Sequence, residues 1–225
     1  MVKALLVLTS HGAMGETGTQ TGFWLSELTH PYFALRDQGI PVDIVSIRGG
    51  EVPVDPKSWD EEDNNNARFL ATPELVDSLK NSTALSSLSP SEYQAIIFAG
   101  GHGTMWDFPD NEPLQRAAIT IYQQNGIIAA ICHGPAALVN LKYANGDHLI
   151  ANKRVTGFTN EEEDTIGLTG VVPFLLEDQL KMANAHFVKA APWCENVVVD
   201  GKLITGQNPQ SAYAVGEAVA ELLLE

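Results

Sequence analysis

A cysteine, a histidine and a glycine fall together in the stretch AAICHGPAAL, Ala129 to Leu138. An apolar run ends at Cys132; His133 follows directly, then Gly134 and Pro135. A buried strand that breaks sharply into a helix lifts the side chain at the turn out at the carboxyl edge of a sheet, and a nearby glycine relieves the crowding. With cysteine at the turn, this is a nucleophile elbow. A helix begun by HGPAAL would offer unpaired N–H groups and a positive dipole end, and both would favour the thiolate and lower its pKa. The backbone N–H of His133 would point where an oxyanion forms. The plain alternative is a buried core thiol, since free cysteine is often buried.

A second donor should come from another loop at the same edge. FAGGHGTMWDFP, Phe98 to Pro109, follows an apolar run directly, and its glycines allow close backbone approach. The N–H of Gly101 could complete an oxyanion hole. His102 and Trp106 either line the pocket or pack the loop. His11, His30, His148 and His186 have no spacing that demands a metal, so none is expected. No nucleotide-binding loop is present, and no cofactor is expected.

The elements that must position these groups alternate. Apolar runs at Lys3 to Thr9, Val42 to Ile47, Gln94 to Gly101 and Gly126 to Cys132 read as strands buried on both faces. Helical patterns lie between them. Thr21 to Gly39 is one, with Pro31 expected to bend or divide it. Another starts at Asn111, a cap residue, and ends at Gly126 as the C′ glycine. The last segment, NPQSAYAVGEAVAELLLE, suits a C-terminal helix, and NVVVDGKLITG reads as a hairpin turning at Asp200–Gly201. The expected fold is therefore α/β, a parallel sheet sandwiched by helices. One domain over residues 1–225 is expected, with a small inserted cap region at about 48–90. That insertion carries DEEDNNNA and a helical TPELVDSL capped by Thr72. It either covers a pocket or is a surface loop without a role.

The 225 residues are enough for one substantial core. With 13 Lys+Arg against 28 Asp+Glu, the formal net charge is −15. A field of that sign repels phosphate backbones and anionic membranes, so neither nucleic acid nor a membrane is an expected partner. Two cysteines, Cys132 and Cys194, do not make a disulfide scaffold; a reduced cytoplasmic chain is expected. MVKALLVLTS is too short for a membrane span and reads as a first strand.

The chain resembles the ThiJ/PfpI superfamily, with its class I glutamine-amidotransferase-like, flavodoxin-like fold, nearly end to end. The matching pieces are KALLVLTS, TGFWLSELTHPYFALRDQG, AGGHGTMWDFP, AAICHGPAAL, VTGFTNEEE and APWCENVVVDGKLITGQNPQSA. The HP after the first helix, GHGTMWDFP and TGFTNEEE resemble the branch of stress-inducible chaperones and glutathione-independent glyoxalases.

The resemblance implies roles for individual residues. Cys132 matches the nucleophile and His133 the catalytic histidine. Glu163 matches the carboxylate that orients that histidine, with Glu161 and Glu162 adjacent and the choice among the three open. Glu27 matches the carboxyl that meets the sulfur; buried there it would stay protonated and donate to the thiolate. Gly101 and His133 match the oxyanion donors. The resemblance implies a small reactive aldehyde as substrate, methylglyoxal converted to lactate with His133 as general base, and a homodimer. The same thiolate would serve a cysteine peptidase or amidase. A stress chaperone or redox sensor without turnover is the reading from another class.

Overall fold

Three of the four continuous apolar runs become strands with no face left to water; the strand from the fourth, Val42–Ser46, is only partly buried over Val42, Asp43 and Ile44, which corrects that expectation. The computed structural model describes residues 2–225. Its strands are β1 (Ala4–Leu8), β2 (Val42–Ser46), β3 (Thr83–Ala84), β4 (Ala95–Phe98), β5 (Ile127–Ile131), β6 (Arg154–Val155), β7 (His186–Phe187), β8 (Val197–Asp200) and β9 (Leu203–Gly206). Every residue of β1, β4, β5 and β9 is buried. The main sheet has seven strands in the order β3-β2-β1-β4-β5-β9-β8. All neighbours are parallel except β8, which returns antiparallel to β9 through a turn in which Gly201 has φ +60°. β6 and β7 form a separate parallel pair.

Eight helices accompany the strands: α1 (Leu25–Arg36), α2 (Asn64–Leu70), α3 (Pro73–Lys80), α4 (Thr104–Asp107), α5 (Glu112–Gln123), α6 (Asn160–Thr165), α7 (Leu176–Met182) and α8 (Ala212–Leu224). α1 packs on α8, and both lie on the sheet; α5 lies against β4 and β5. The chain leaves β1 toward β2 on one side and resumes at β4 on the other. That reversal between β1 and β4 opens a crevice at the carboxyl ends of the strands, where ligands of open α/β sheets bind.

Three further local expectations need correction. Pro31 does not divide α1, which runs unbroken through it. The helix instead starts later than its pattern, at Leu25, and the Ser58 hydroxyl accepts the Leu25 N–H at 3.0 Å. Asn111 does cap α5, accepting from the Leu114 N–H at 3.0 Å. At the other end Asn125, not Gly126, takes the left-handed conformation (φ +64°). Gly126 is there because a Cβ would stand 2.6 Å from the Ile121 carbonyl oxygen. Thr72 holds the cap position of α3, but its hydroxyl donates to the Arg68 carbonyl at 2.9 Å.

Residues 48–90 contain α2, α3 and the edge strand β3. α2 is fastened to α1 by three polar contacts. Thr29 donates to Asn66 at 2.6 Å, His30 meets Asp63 at 2.9 Å, and Arg68 grips Asp37 with two bonds of 2.8 Å. No helix among the described residues is long and apolar enough to cross a membrane.

Candidate active site

β5 ends at Ile131, and the next residue, Cys132, adopts φ +58°. A left-handed backbone at a non-glycine residue is strained and persists only where its surroundings enforce it. Here the Cys132 N–H donates to Gly206 of β9 at 2.9 Å, and its carbonyl accepts from Phe158 at 2.8 Å. Gly134 makes the turn possible: a Cβ there would lie 2.2 Å from the Phe98 carbonyl oxygen. Beyond His133 the chain forms a five-residue 3₁₀ turn, Gly134–Leu138, not the α-helix expected from HGPAAL. So short a turn carries little macrodipole.

The expectation of a thiol acidified by a helix end is therefore corrected. Burial pushes the Cys132 thiol well above its ordinary value, and the neighbouring Glu27 carboxyl pushes it the same way. Glu27, in the first turn of α1, is itself wholly buried, and burial lifts its carboxyl to about 8. One oxygen accepts the Gly100 N–H at 2.8 Å, while Oε1 has no partner with normal geometry. An ion so poorly supported would be costly; a protonated carboxyl beside the sulfur is not. Glu27 thus stands as a buried carboxyl beside the Cys132 thiol, each held above its ordinary value.

His133 completes the line. Its Nδ1 lies 3.4 Å from the Cys132 sulfur and its Nε2 lies 2.7 Å from Glu163 Oε2. Burial, then the neighbouring His102 ring, lowers the pKa of His133. Burial alone would raise Glu163, but His133 and His102 more than offset it and hold the carboxyl at about 2. An ionised carboxylate only accepts, so the hydrogen between Glu163 and His133 sits on Nε2. Neutral His133 then presents the lone pair of Nδ1 to the thiol.

Of the three consecutive glutamates, only Glu163 meets His133. Glu161 faces solvent. Glu162 is buried and does a different job. Its Oε2 accepts from the N–H and hydroxyl of Thr159 in a capping box at the head of α6. Its Oε1 accepts from the Trp193 N–H, Gln207 and Asn208. Glu162 therefore locks α6, which carries Glu163, to the segments after β7 and β9.

The backbone N–H groups of Gly101 and His133 find no oxygen acceptor among the described residues. Gly101 has φ +101°, and a Cβ there would lie 2.4 Å from the Gly22 carbonyl oxygen. Both donors flank a cavity of about 420 Å³ that opens over Cys132. Its apolar wall includes Met14, Trp24, Phe158 and Trp193. Its polar lining includes Asp55, Lys57, Asp60 and Asp63, so the segment 48–90 borders the pocket.

His102 lines this cavity, and its Nε2 lies 2.7 Å from Glu163 Oε1. Trp106, expected as a pocket residue or a packing residue, is not part of the wall. It points back from α4 and stacks on His11 with centroids 5.1 Å apart. Phe158 and Trp193 were invisible as site residues, although Phe158 stands within VTGFTNEEE. Phe158 packs on the His133 ring at 4.4 Å and Trp193 on Phe158 at 5.6 Å. Cys194 is free and exposed.

His102, His133 and Glu163 also bring metal-ligating atoms within 4.8 Å of one another, from positions too far apart in sequence for spacing to show. As arranged, both Nε2 hydrogens already point at the carboxylate.

The whole architecture has close counterparts. The solved structure of the Francisella tularensis Rapid Encystment Protein 24 KDa superimposes with a TM-score of 0.98 at 52% identity, covering 100% of both chains. Glyoxalase 3 of Candida albicans is 34% identical over 97% of this chain and 97% of its own length. The glutathione-independent glyoxalase HSP31 of Saccharomyces cerevisiae is 32% identical over 94% of each. The DJ-1/PfpI family model matches residues 19–222, and this chain belongs to the DJ-1/PfpI family.

Proposed function

We propose that the protein converts 2-oxoaldehydes to 2-hydroxy acids without glutathione, methylglyoxal to lactate in the simplest case. The observation that carries this is the buried line Glu27–Cys132–His133–Glu163 beside two backbone N–H groups, of Gly101 and His133, that meet no oxygen acceptor among the described residues. It stands in a chain similar along nearly its whole length to proteins named glutathione-independent glyoxalases.

The arrangement supports the following sequence of steps. His133 Nδ1 takes the thiol proton as the sulfur attacks the aldehyde carbon, and Glu27 steadies the sulfur's developing charge. The hemithioacetal oxyanion lies between the N–H groups of Gly101 and His133. A base moves the aldehyde hydrogen to the neighbouring carbon through an enediolate. That internal transfer oxidises one carbon and reduces the other, so no external redox partner enters. Water then cleaves the lactyl thioester and restores the thiol.

A cavity bordered by residues 48–90 suits a small aldehyde better than a polypeptide in extended form, which ranks the peptidase reading second. The exposed, unpaired Cys194 fits a reducing cytoplasm. A homodimer is part of the proposal, to be checked by light scattering. The decisive assay is lactate formation from methylglyoxal in glutathione-free buffer. Wild type should be active and Cys132→Ala inactive. An inactive wild type overturns the reaction, and an active Cys132→Ala overturns the mechanism. An aggregation-suppression assay alongside separates any chaperone role from turnover.

A further inference from the structure

Glu163 is gripped from two sides. His133 reaches Oε2 and His102 reaches Oε1, each through Nε2 at 2.7 Å. Because the carboxylate accepts only, both rings must bring it their Nε2 hydrogens. Each neutral ring then has one basic nitrogen left, Nδ1. That of His133 is engaged with the thiol at 3.4 Å. That of His102 has no partner among the described residues, and His102 lines the cavity beside Cys132 and Gly101.

The rings lie with centroids 4.0 Å apart and planes inclined at 43°. The thiol proton goes to the Nδ1 of His133, the ring that meets the sulfur, and the Nδ1 of His102 stays without a partner. The two rings thus share one orienting carboxylate and line the cavity that opens over Cys132.

We propose that His102 is a second catalytic base, which carries the hydrogen between the two carbons of the bound oxoaldehyde while His133 manages the proton of the thiol. The assignment rests on the glyoxalase reading above. In the hemithioacetal, His102 Nδ1 removes the hydrogen from the former aldehyde carbon. The C–H electron pair becomes the carbon–carbon double bond, and the ketone oxygen takes the proton held by His133. The oxyanion in the Gly101–His133 hole then re-forms its carbonyl. The double-bond electrons take the proton back from His102 at the second carbon, leaving a lactyl thioester and both imidazoles neutral.

His102→Gln tests this, because the amide can still donate to Glu163 but is no base. Two measurements are made on both proteins: lactate turnover, and the pH profile of Cys132 alkylation by iodoacetamide. We expect kcat to fall about 10²-fold or more, the range of a lost general base, with Cys132 alkylation changing far less than kcat. A kcat within about threefold of wild type overturns the assignment. So does an alkylation profile that shifts in step with kcat, since His102 would then act only through Glu163 and His133. Wild type that alkylates but makes no lactate overturns the reaction itself, and His102's role with it. If His102→Gln does not fold, His102→Ala is assayed with added imidazole. Restored turnover supports the carbon base, and no restoration in a folded variant overturns it.

Discussion

Replacing Glu27 with glutamine should stabilise the protein at neutral pH and remove part of its pH dependence. The buried carboxyl is lifted from an ordinary 4.5 to about 8. Between those values the native state keeps a proton that the unfolded chain has released, so stability falls as pH rises. Below the lower value both states are protonated and the full contribution is present; above the upper value both are ionised and it is gone. At about 1.4 kcal/mol per pH unit, the interval from 4.5 to neutrality costs the native protein roughly 3 kcal/mol.

Glu27→Gln should remove that cost with little loss of contact. The amide oxygen can keep the 2.8 Å bond from Gly100, and the amide N–H can take the place of the carboxyl proton beside the sulfur. The assay is equilibrium urea unfolding of both proteins at about pH 5 and pH 7. The advantage of the variant should grow by roughly 2–3 kcal/mol between the two. Equal pH dependence in wild type and variant would refute the reasoning, because Glu27 would then be no more protonated in the native state than in the unfolded one.

The two buried glutamates of α6 should separate by phenotype. Glu162→Gln should cost about 1–3 kcal/mol in urea unfolding, because an N–H₂ would replace an oxygen in a carboxylate that five donors share. Glu163→Gln should lose about 10²-fold or more in kcat, since a neutral amide no longer stabilises the imidazolium. Ser58→Ala removes the acceptor for the Leu25 N–H and should lower stability by about 1 kcal/mol, read as a drop in Tm. The 420 Å³ cavity, walled by Trp24, Phe158 and Trp193, should admit phenylglyoxal. A kcat/KM within about tenfold of that for methylglyoxal is expected in a steady-state assay, and exclusion of the aromatic substrate would contradict the cavity's shape.

The buried strands were legible because each is a short apolar run with a polar or glycine boundary, and burial on both faces leaves no other pattern. The elbow at Cys132 and the loop at Gly101 were legible for the same reason: both lie where such a run stops. The segment between β5 and β8 was not. It carries α6, α7 and the β6–β7 pair, whose two-residue strands are too short for any periodicity to mark. His102, His133 and Glu163 arrive from the loop after β4, the turn after β5 and α6, so their meeting is a property of the fold rather than of spacing.

The misreading of HGPAAL has a chemical consequence. A helix end would have made Cys132 a standing thiolate. The short 3₁₀ turn and the burial of the site instead make the resting sulfur a protonated one, placed between a carboxyl that can donate and an imidazole that can accept. The positive charge on His133 is then formed only with the negative charge on the hemithioacetal, so their attraction acts during the reaction and not before it. A thiol held this way should react slowly with iodoacetamide near neutral pH, yet turn over an aldehyde that fits the oxyanion hole. Rapid alkylation of Cys132 well below its ordinary pKa would mean that the sulfur is ionised at rest, and that Glu27 and the buried imidazoles are not arranged as described.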